Sequence, residues 1–573
     1  MKRFRKLRVI LVLLVLVGLA SYFFGEESAV TVEPDSTLVL ELEGDYVEAS
    51  GAPWLASLFG EAERPFAGLL TTLALAERDD RIQNVVVVIR PLQIGWGKAG
   101  EIRAALDRLR EAGRYTIAYL DMASLSANLE YFIASAADDV YLTPAGSAPV
   151  IGLAANYFFL GGLWEKLGVS FDVGKAGKYK SAVESLTARE MSPASEEMAN
   201  SLLDSVNNLF IEAIMKGRGK TREEALAIID RGPMLEVSLR ETGLVDRVEY
   251  LDALLDELDT PVVKEQEYAS VTPEAVGFSP VASVALIYGT GNVVQGWGSQ
   301  GPRNAPVFAA RTAEEAIHEA ATDPSIDAII LRVDSPGGSA LASEQIWRSV
   351  EKAREEGKPF IASFSDMAAS GGYYASVGAD EIISNPGTYT GSIGVFAVRP
   401  VLGLALSEIG IESHSLTRGP HAGALVSTEP LSEEGRARLE SMVLDIYDVF
   451  TNRVAQGRDL SVERVDEIAQ GRVWTGAQAH EIGLVDRLGG LHEAVAAVRE
   501  KLDLDAEADV ALISFPPPRS FAEEVASLFQ MQVDPFGWAS HFLPSVWTPM
   551  QEWLGQVSFD EPLALLPVWV EVR

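Results

Sequence analysis

Two glycine-rich turns carry serines in a setting that permits acyl chemistry. One is Asp334-Ser335-Pro336-Gly337-Gly338-Ser339 and the other is Ala368-Ala369-Ser370-Gly371-Gly372. Paired glycines let backbone N–H groups point into open space, and a helix start adds further unpaired donors. A serine held among such donors can attack a carbonyl while the donors stabilise the oxyanion. Each turn follows an apolar, β-branched run, Ala328–Val333 and Phe360–Phe364, with a helix-like segment from Ala342 to Glu356 between them. The pattern reads as a βαβ unit. Parallel strands put both turns at one edge of the sheet, where α/β proteins keep their sites.

A nucleophilic serine needs a base. Of the six histidines, His318 and His492 lie in alanine- and glutamate-rich runs, His541 lies near the C-terminus and His480 sits on a helix-like segment. His421 is the histidine worth weighing, with His414 beside it in the same loop. A lysine base must be deprotonated, which requires burial or positive neighbours. Beyond Lys264 only Lys352, Lys358 and Lys501 remain, the first two along or just after a solvent-facing helix and the third near a domain end. The cluster Lys175, Lys178 and Lys180 is left, and Lys180, followed by Ser181-Ala182-Val183, is the best placed for burial. A basic loop on its own is ordinarily a solvated one.

An internal repeat tips that balance. With a period of about 240 residues, four segments recur in the same order. Leu38–Leu42 matches Ser283–Ile287, and Asn84–Arg90 matches Asp327–Arg332. Tyr131–Asp138 matches Tyr373–Asp380, and Gly243-Leu-Val-Asp-Arg247 matches Gly483-Leu-Val-Asp-Arg487. Two homologous α/β domains are expected, 36–270 and 271–510, each with helices in its second half. The halves differ where chemistry would sit. Asn128 stands in the place of Ser370, and Leu92-Gln93-Ile94-Gly95 replaces the Asp-Ser-Pro-Gly-Gly turn. The second half in turn lacks the lysine loop, with Ala422 opposite Lys180. Complementary losses of this kind fit a duplicated enzyme that merged two half-sites into one, with Ser370 as nucleophile and Lys180 as base.

The ends of the chain have a different character. Residues 1–8 are basic, and Val9 to Phe24 runs without a charge. This reads as an uncleaved anchor over 9–24, with a signal segment cleaved near Gly18 and Ala20 as the alternative; the anchor places residues 1–8 in the cytoplasm and everything after Gly25 on the outer side of the membrane. Residues 511–573 form a tail rich in tryptophan, phenylalanine and proline, suited to a membrane surface, a subunit contact or packing back onto the domains. The formal net charge of −35 argues against nucleic acid as a partner. There is no cysteine, which excludes disulfides and thiolate chemistry. No metal-ligand spacing or phosphate-binding loop is present, so no cofactor or metal is expected.

Asp334-Ser-Pro-Gly-Gly-Ser339, Met367-Ala-Ala-Ser-Gly-Gly-Tyr-Tyr374, Thr390-Gly-Ser-Ile-Gly-Val395 and Tyr179-Lys-Ser-Ala-Val-Glu184 together resemble the signal peptide peptidase A family in its long, duplicated, membrane-anchored form. The resemblance runs from Met1 to about Val510 and implies tandem Clp-protease/crotonase-like domains. It implies a serine endopeptidase that degrades remnant signal peptides in the membrane and assembles as a tetramer with an apolar interior. In a bacterial cell its place would be the inner membrane, with the catalytic domains periplasmic. By motif position Ser370 is the nucleophile, Lys180 the general base and Ser392 the residue that orients the lysine. The N–H groups of Gly371 and Gly337 are the expected oxyanion hole. Two rivals are an acyl-CoA hydratase or isomerase of the same fold and a non-catalytic membrane-anchored scaffold. A non-cytoplasmic location argues against the first, and the joint presence of Ser370, Lys180 and Ser392 argues against the second.

Overall fold

The computed structural model describes residues 32–48, 64–298, 306–419, 421–424, 427–515 and 563–565. The first half contributes β1 (Ser36–Gly44), β2 (Ile82–Leu92), β3 (Tyr115–Leu120), β4 (Asp139–Leu142), β5 (Ser170–Ala176), β6 (Arg247–Val248) and β7 (Val262–Lys264). The second half contributes β8 (Ala282–Thr290), β9 (Asn292–Val294), β10 (Val307–Ala309), β11 (Ala328–Ser335), β12 (Gly337–Ser339) and β13 (Phe360–Ala369). It continues with β14 (Glu381–Ser384), β15 (Tyr389–Gly391), β16 (Val395–Val401), β17 (Val473–Thr475), β18 (Arg487–Leu488) and β19 (Val510–Phe515), and β20 is Leu563–Leu565.

The repeat is visible strand for strand. The first half builds a sheet in the order β6-β4-β3-β2-β1-β7, and the second builds β18-β14-β13-β11-β8-β19. Both orders are parallel throughout. Parallel strands need crossover helices and are covered on both faces, which is why β2 and β11 are built around the buried apolar runs Val85–Ile89 and Ala328–Leu331. The long helices after the lysine loop and its counterpart, Pro193–Arg218 and Glu433–Arg458, are also equivalent. Each carries an arginine near its end that pairs with the aspartate of the repeated Gly-Leu-Val-Asp-Arg segment, Arg218 with Asp246 and Arg458 with Asp486. Tyr131 donates to the Leu244 carbonyl as Tyr373 does to that of Leu484.

The two halves are joined by backbone. β5 of the first half pairs antiparallel with β16 of the second, from Ala176 opposite Val395 to Ser170 opposite Val401. That strand therefore belongs to a third sheet, β10-β9-β12-β20-β16-β5, built mostly from the second half. β19 reaches Phe515 beside β8, so the second sheet extends into the stretch read from sequence as tail. Among the described residues no helix is long and apolar enough to cross a membrane. The basic segment 1–8, the anchor 9–24 and most of the tail lie outside the described residues.

Candidate active site

The pairing of β5 with β16 dictates what meets what. Ala176 ends β5 opposite Val395, and the chain runs on to Lys180 while its partner strand is entered from Ser392. The lysine loop thus crosses directly over the Thr390-Gly-Ser392 segment. Three glycines permit the crossing. Gly177 is left-handed at φ +102° and lies against the backbone of Gln470, while Gly471, also left-handed at φ +74°, lies against the backbone of Lys180. Gly394 in turn packs on Gly471. A Cβ at any of these positions would push the loop away from the second half. Tyr179 N–H locks the crossing by donating to the Gln470 carbonyl at 2.8 Å.

The three lysines of the loop separate cleanly. Lys175 faces Glu184 at 3.3 Å, and Lys178 lies over the Tyr179 ring. Lys180 turns inward and is fully buried, as are Ser370 and Ser392. Its Nζ lies 2.7 Å from Ser370 Oγ, 2.9 Å from Ser392 Oγ and 3.0 Å from the Ser392 carbonyl. Burial without a carboxylate partner holds the amine well below the usual lysine range. A neutral amine has two N–H bonds and one lone pair. The two N–H bonds go to the carbonyl and hydroxyl oxygens of Ser392, which leaves the lone pair for the Ser370 hydroxyl. Ser392 can offer both oxygens because its backbone is left-handed, at φ +52°, held by its N–H donating to the Arg472 carbonyl.

Ser370 sits at a turn between β13 and the helix Gly371–Ser376 with φ +53° and ψ −111°. A non-glycine residue there is strained and must be held by its surroundings. Its N–H donates to the Gly391 carbonyl at 2.7 Å, and its carbonyl accepts from Tyr374 N–H at 2.8 Å. The geometry presents a hydroxyl at a helix start, where Gly371 supplies the first N–H of the helix. Gly337 is close by through the sheet, because Ser335 pairs with Ala368 and the Cβ position of Gly372 abuts Ser335. In this structure the Gly337 N–H donates to Ser335 Oγ at 3.2 Å, so it must turn from that hydroxyl to serve an oxyanion. His421 is distant from this chemistry, exposed and 3.6 Å from Glu434.

A second cluster behind the site escaped the reading of the sequence. The turn that replaces the Asp-Ser-Pro-Gly-Gly motif in the first half continues as Gly95-Trp96-Gly97-Lys98, the start of the helix Trp96–Glu111. It docks on the second half. The N–H groups of Gly95 and Lys98 both donate to Asp366, at 2.9 and 2.8 Å. Lys98 Nζ reaches Asp334 at 2.7 Å, Asp366 at 3.1 Å and Glu48 at 3.7 Å. Asp334 opens the Gly337 turn, and Asp366 lies on β13 just ahead of Ser370. Next to them the buried Arg332 pairs with Glu48 and Glu101. Burial pushes the Asp334 carboxyl up to about 6; Lys98 opposes the shift, and Asp366 and Glu48 add to it. Burial also raises Glu48, but Arg332 and Lys98 outweigh it and hold that carboxyl at about 2. Burial disfavours charge on Lys98, yet the three acids hold its amine well above the usual range. The signal was present in the alignment of the halves, where Lys98 stands three residues after the altered turn.

The profile of peptidase family S49 matches residues 109–264 and 352–505. The chain is 33% identical to "Serine protease SPPA, chloroplastic" of Arabidopsis thaliana, over 79% of its own length and 68% of that protein. It is 30% identical to "Protease 4" of Salmonella typhi over 86% of its length and 83% of that protein. "Protease 4" of Haemophilus influenzae is 29% identical over 84% of the chain and 82% of that protein. With matches this long to both halves, the chain belongs to peptidase family S49 and is a serine endopeptidase of the long signal-peptide-peptidase-A type.

Proposed function

We propose that this serine endopeptidase works through a dyad contributed by both halves, with Ser370 as nucleophile and Lys180 as general base. The observation that carries the reading is the 2.7 Å contact between Lys180 Nζ and Ser370 Oγ in a fully buried setting that holds the amine well below the usual lysine range. Lys180 takes the Ser370 proton as the hydroxyl attacks the peptide carbonyl. The N–H groups of Gly371 and Gly337 stabilise the oxyanion, the latter after release from Ser335. Lys180 then protonates the leaving amine, and water hydrolyses the acyl-enzyme. Ser392 is the positioning residue that fixes the lone pair of the amine on Ser370.

The substrates in this reading are apolar peptides, of the kind that remnant signal peptides supply. An apolar pocket lined by Met191, Met198, Leu202, Met367, Tyr389 and Val473 opens alongside Ser181, one residue from the base, and suits an apolar side chain. The anchor at 9–24, a catalytic body on the outer side of the membrane, the Clp-protease/crotonase-like assignment of the two domains and a homotetramer complete the proposal. The reading is tested with the full chain in detergent, using a fluorogenic apolar peptide and a serine-reactive phosphonate probe. Peptide hydrolysis and probe labelling mapped to Ser370 are expected, with a rate that rises with pH as Lys180 loses its proton below the ordinary lysine range. Labelling at another serine, or a flat pH profile, sinks the dyad.

Ser392→Ala gives a separate expectation. It removes one of the two acceptors that hold the amine and leaves the carbonyl. kcat should fall about 10- to 100-fold with KM nearly unchanged, since orientation and not binding is lost. Full activity in this variant would mean that the carbonyl alone positions Lys180.

A further inference from the structure

The C-terminal tail has no part in the chemistry above, yet one piece of it lies at the site. β20 pairs antiparallel with β12, placing Leu565 opposite Gly337, Ala564 opposite Gly338 and Leu563 opposite Ser339. Its other edge meets β16, with Leu563 opposite Phe396. It also packs against the helix that starts at Gly371. β12 carries the Gly337 N–H, and β16 is entered from Ser392. The tail strand therefore runs between the two walls of the proposed catalytic centre.

In the sheet order, β12 and β16 touch only through β20. Without it they present two strand edges one strand apart. Unpaired edges recruit an extended chain through main-chain hydrogen bonds, so this slot takes a single peptide strand, apolar in the reading above. The tail has the composition of such a peptide. Pro562-Leu-Ala-Leu-Leu-Pro567 is apolar and uncharged, and its prolines limit how far strand pairing can spread.

We propose that Leu563–Leu565 is a tethered occupant of the peptide slot, a competitor within the chain that substrate must displace. The inference rests on the Ser370 peptidase reading for the identity of the slot. A strand of three residues binds weakly by itself, but the tether supplies an effective concentration on the order of millimolar. An intrinsic dissociation constant of ~0.1 mM would then raise the apparent KM about tenfold and leave kcat alone.

The test uses the full chain and its Ala564→Pro variant, in which the central residue of the strand loses its N–H and its pairing geometry. Kinetics on a short apolar fluorogenic peptide should show an apparent KM about tenfold lower in the variant, with kcat unchanged. A synthetic peptide of residues 559–569 should compete with substrate and do so more strongly in the variant. Equal KM values in the two chains, or a synthetic peptide that does not compete, overturn the proposal. So does an intact mass showing that the tail is cut off in a Ser370-dependent way, since the tail is then a substrate. If neither chain hydrolyses any peptide, the dyad reading fails by itself, and the tail is judged by amide exchange at Gly338. Protection in the native chain that disappears in Ala564→Pro supports the occupant, and equal exchange refutes it.

Discussion

Lys180→Met in the full chain should abolish peptide hydrolysis and raise the melting temperature at neutral pH. The two effects have one origin. Lys180 lies within reach of Ser370 Oγ and is the proposed base, so kcat/KM should fall on the order of 10⁴-fold on its loss. Ser370→Ala should cost about as much, because a dyad fails as a unit. The stability effect follows from the depressed folded-state pKa of the amine. In the window between that pKa and the unfolded value of about 10.5, the unfolded chain binds a proton that the folded chain does not. Wild-type stability from this source is therefore full only above the unfolded value and is lost as pH falls through the folded one. Thermal melts of wild type should climb between pH 7 and pH 9.5 relative to those of Lys180→Met, which lacks the term. A variant that keeps a tenth or more of the activity moves the base elsewhere. A variant that melts below wild type at pH 7 shows that the hydrogen bonds to Ser392 outweigh the cost of burying the amine.

How much of this was legible in the sequence depended on whether a signal was local or relational. The βαβ units could be read because parallel strands buried on both faces must be continuous apolar runs, as in Ala328–Val333. Ser370 could be read because glycine-flanked serines at a strand-to-helix turn have few other uses. Lys180 required the comparison of halves, since a Lys-x-x-Lys-x-Lys loop taken alone is usually solvated, and two of its three lysines do face outward. The antiparallel union of β5 with β16 left no local trace, because strand partners are set by tertiary packing and not by the pattern of either strand. The same holds for β20, three of the four apolar residues between Pro562 and Pro567, which gain a partner only once β12 and β16 are in place. The change from Asp-Ser-Pro-Gly-Gly to Leu-Gln-Ile-Gly in the first half read as a loss of function. The structure shows that this turn carries a new contact, the docking of Lys98 on Asp334 and Asp366.

That contact yields the second large effect. Lys98→Met should destabilise the protein by about 3–5 kcal/mol near pH 8, the usual cost of leaving buried charge without its partner, and should lower kcat about 100-fold. Lys98 holds two segments at once, the Asp334 end of the turn that bears Gly337 and the Asp366 end of the strand that leads to Ser370. Losing it frees the oxyanion donor and the nucleophile to shift relative to each other, and small misplacements of reacting groups are costly. KM should change less than kcat, because what is lost is the alignment of the reacting groups. The pH dependence separates this role from general unfolding. Asp334, Asp366, Glu48 and Glu101 face the cluster with Arg332 and Tyr288, and without Lys98 only Arg332 balances the acids. The Asp334 carboxyl already stands at about 6, and removing the lysine pushes it higher. A raised carboxyl contributes stability that is full below its unfolded value of about 3.9 and is lost as pH rises through the folded one. Lys98→Met should accordingly be close to wild type at pH 5 and fall behind it steadily up to pH 8. The double variant Lys98→Met with Asp366→Asn should regain part of the loss, since one unpaired charge is gone. A pH-independent deficit, or a double variant that simply sums the two single losses, would reduce Lys98 to packing; intact kcat in a folded Lys98→Met would show that the two catalytic segments hold their places without it.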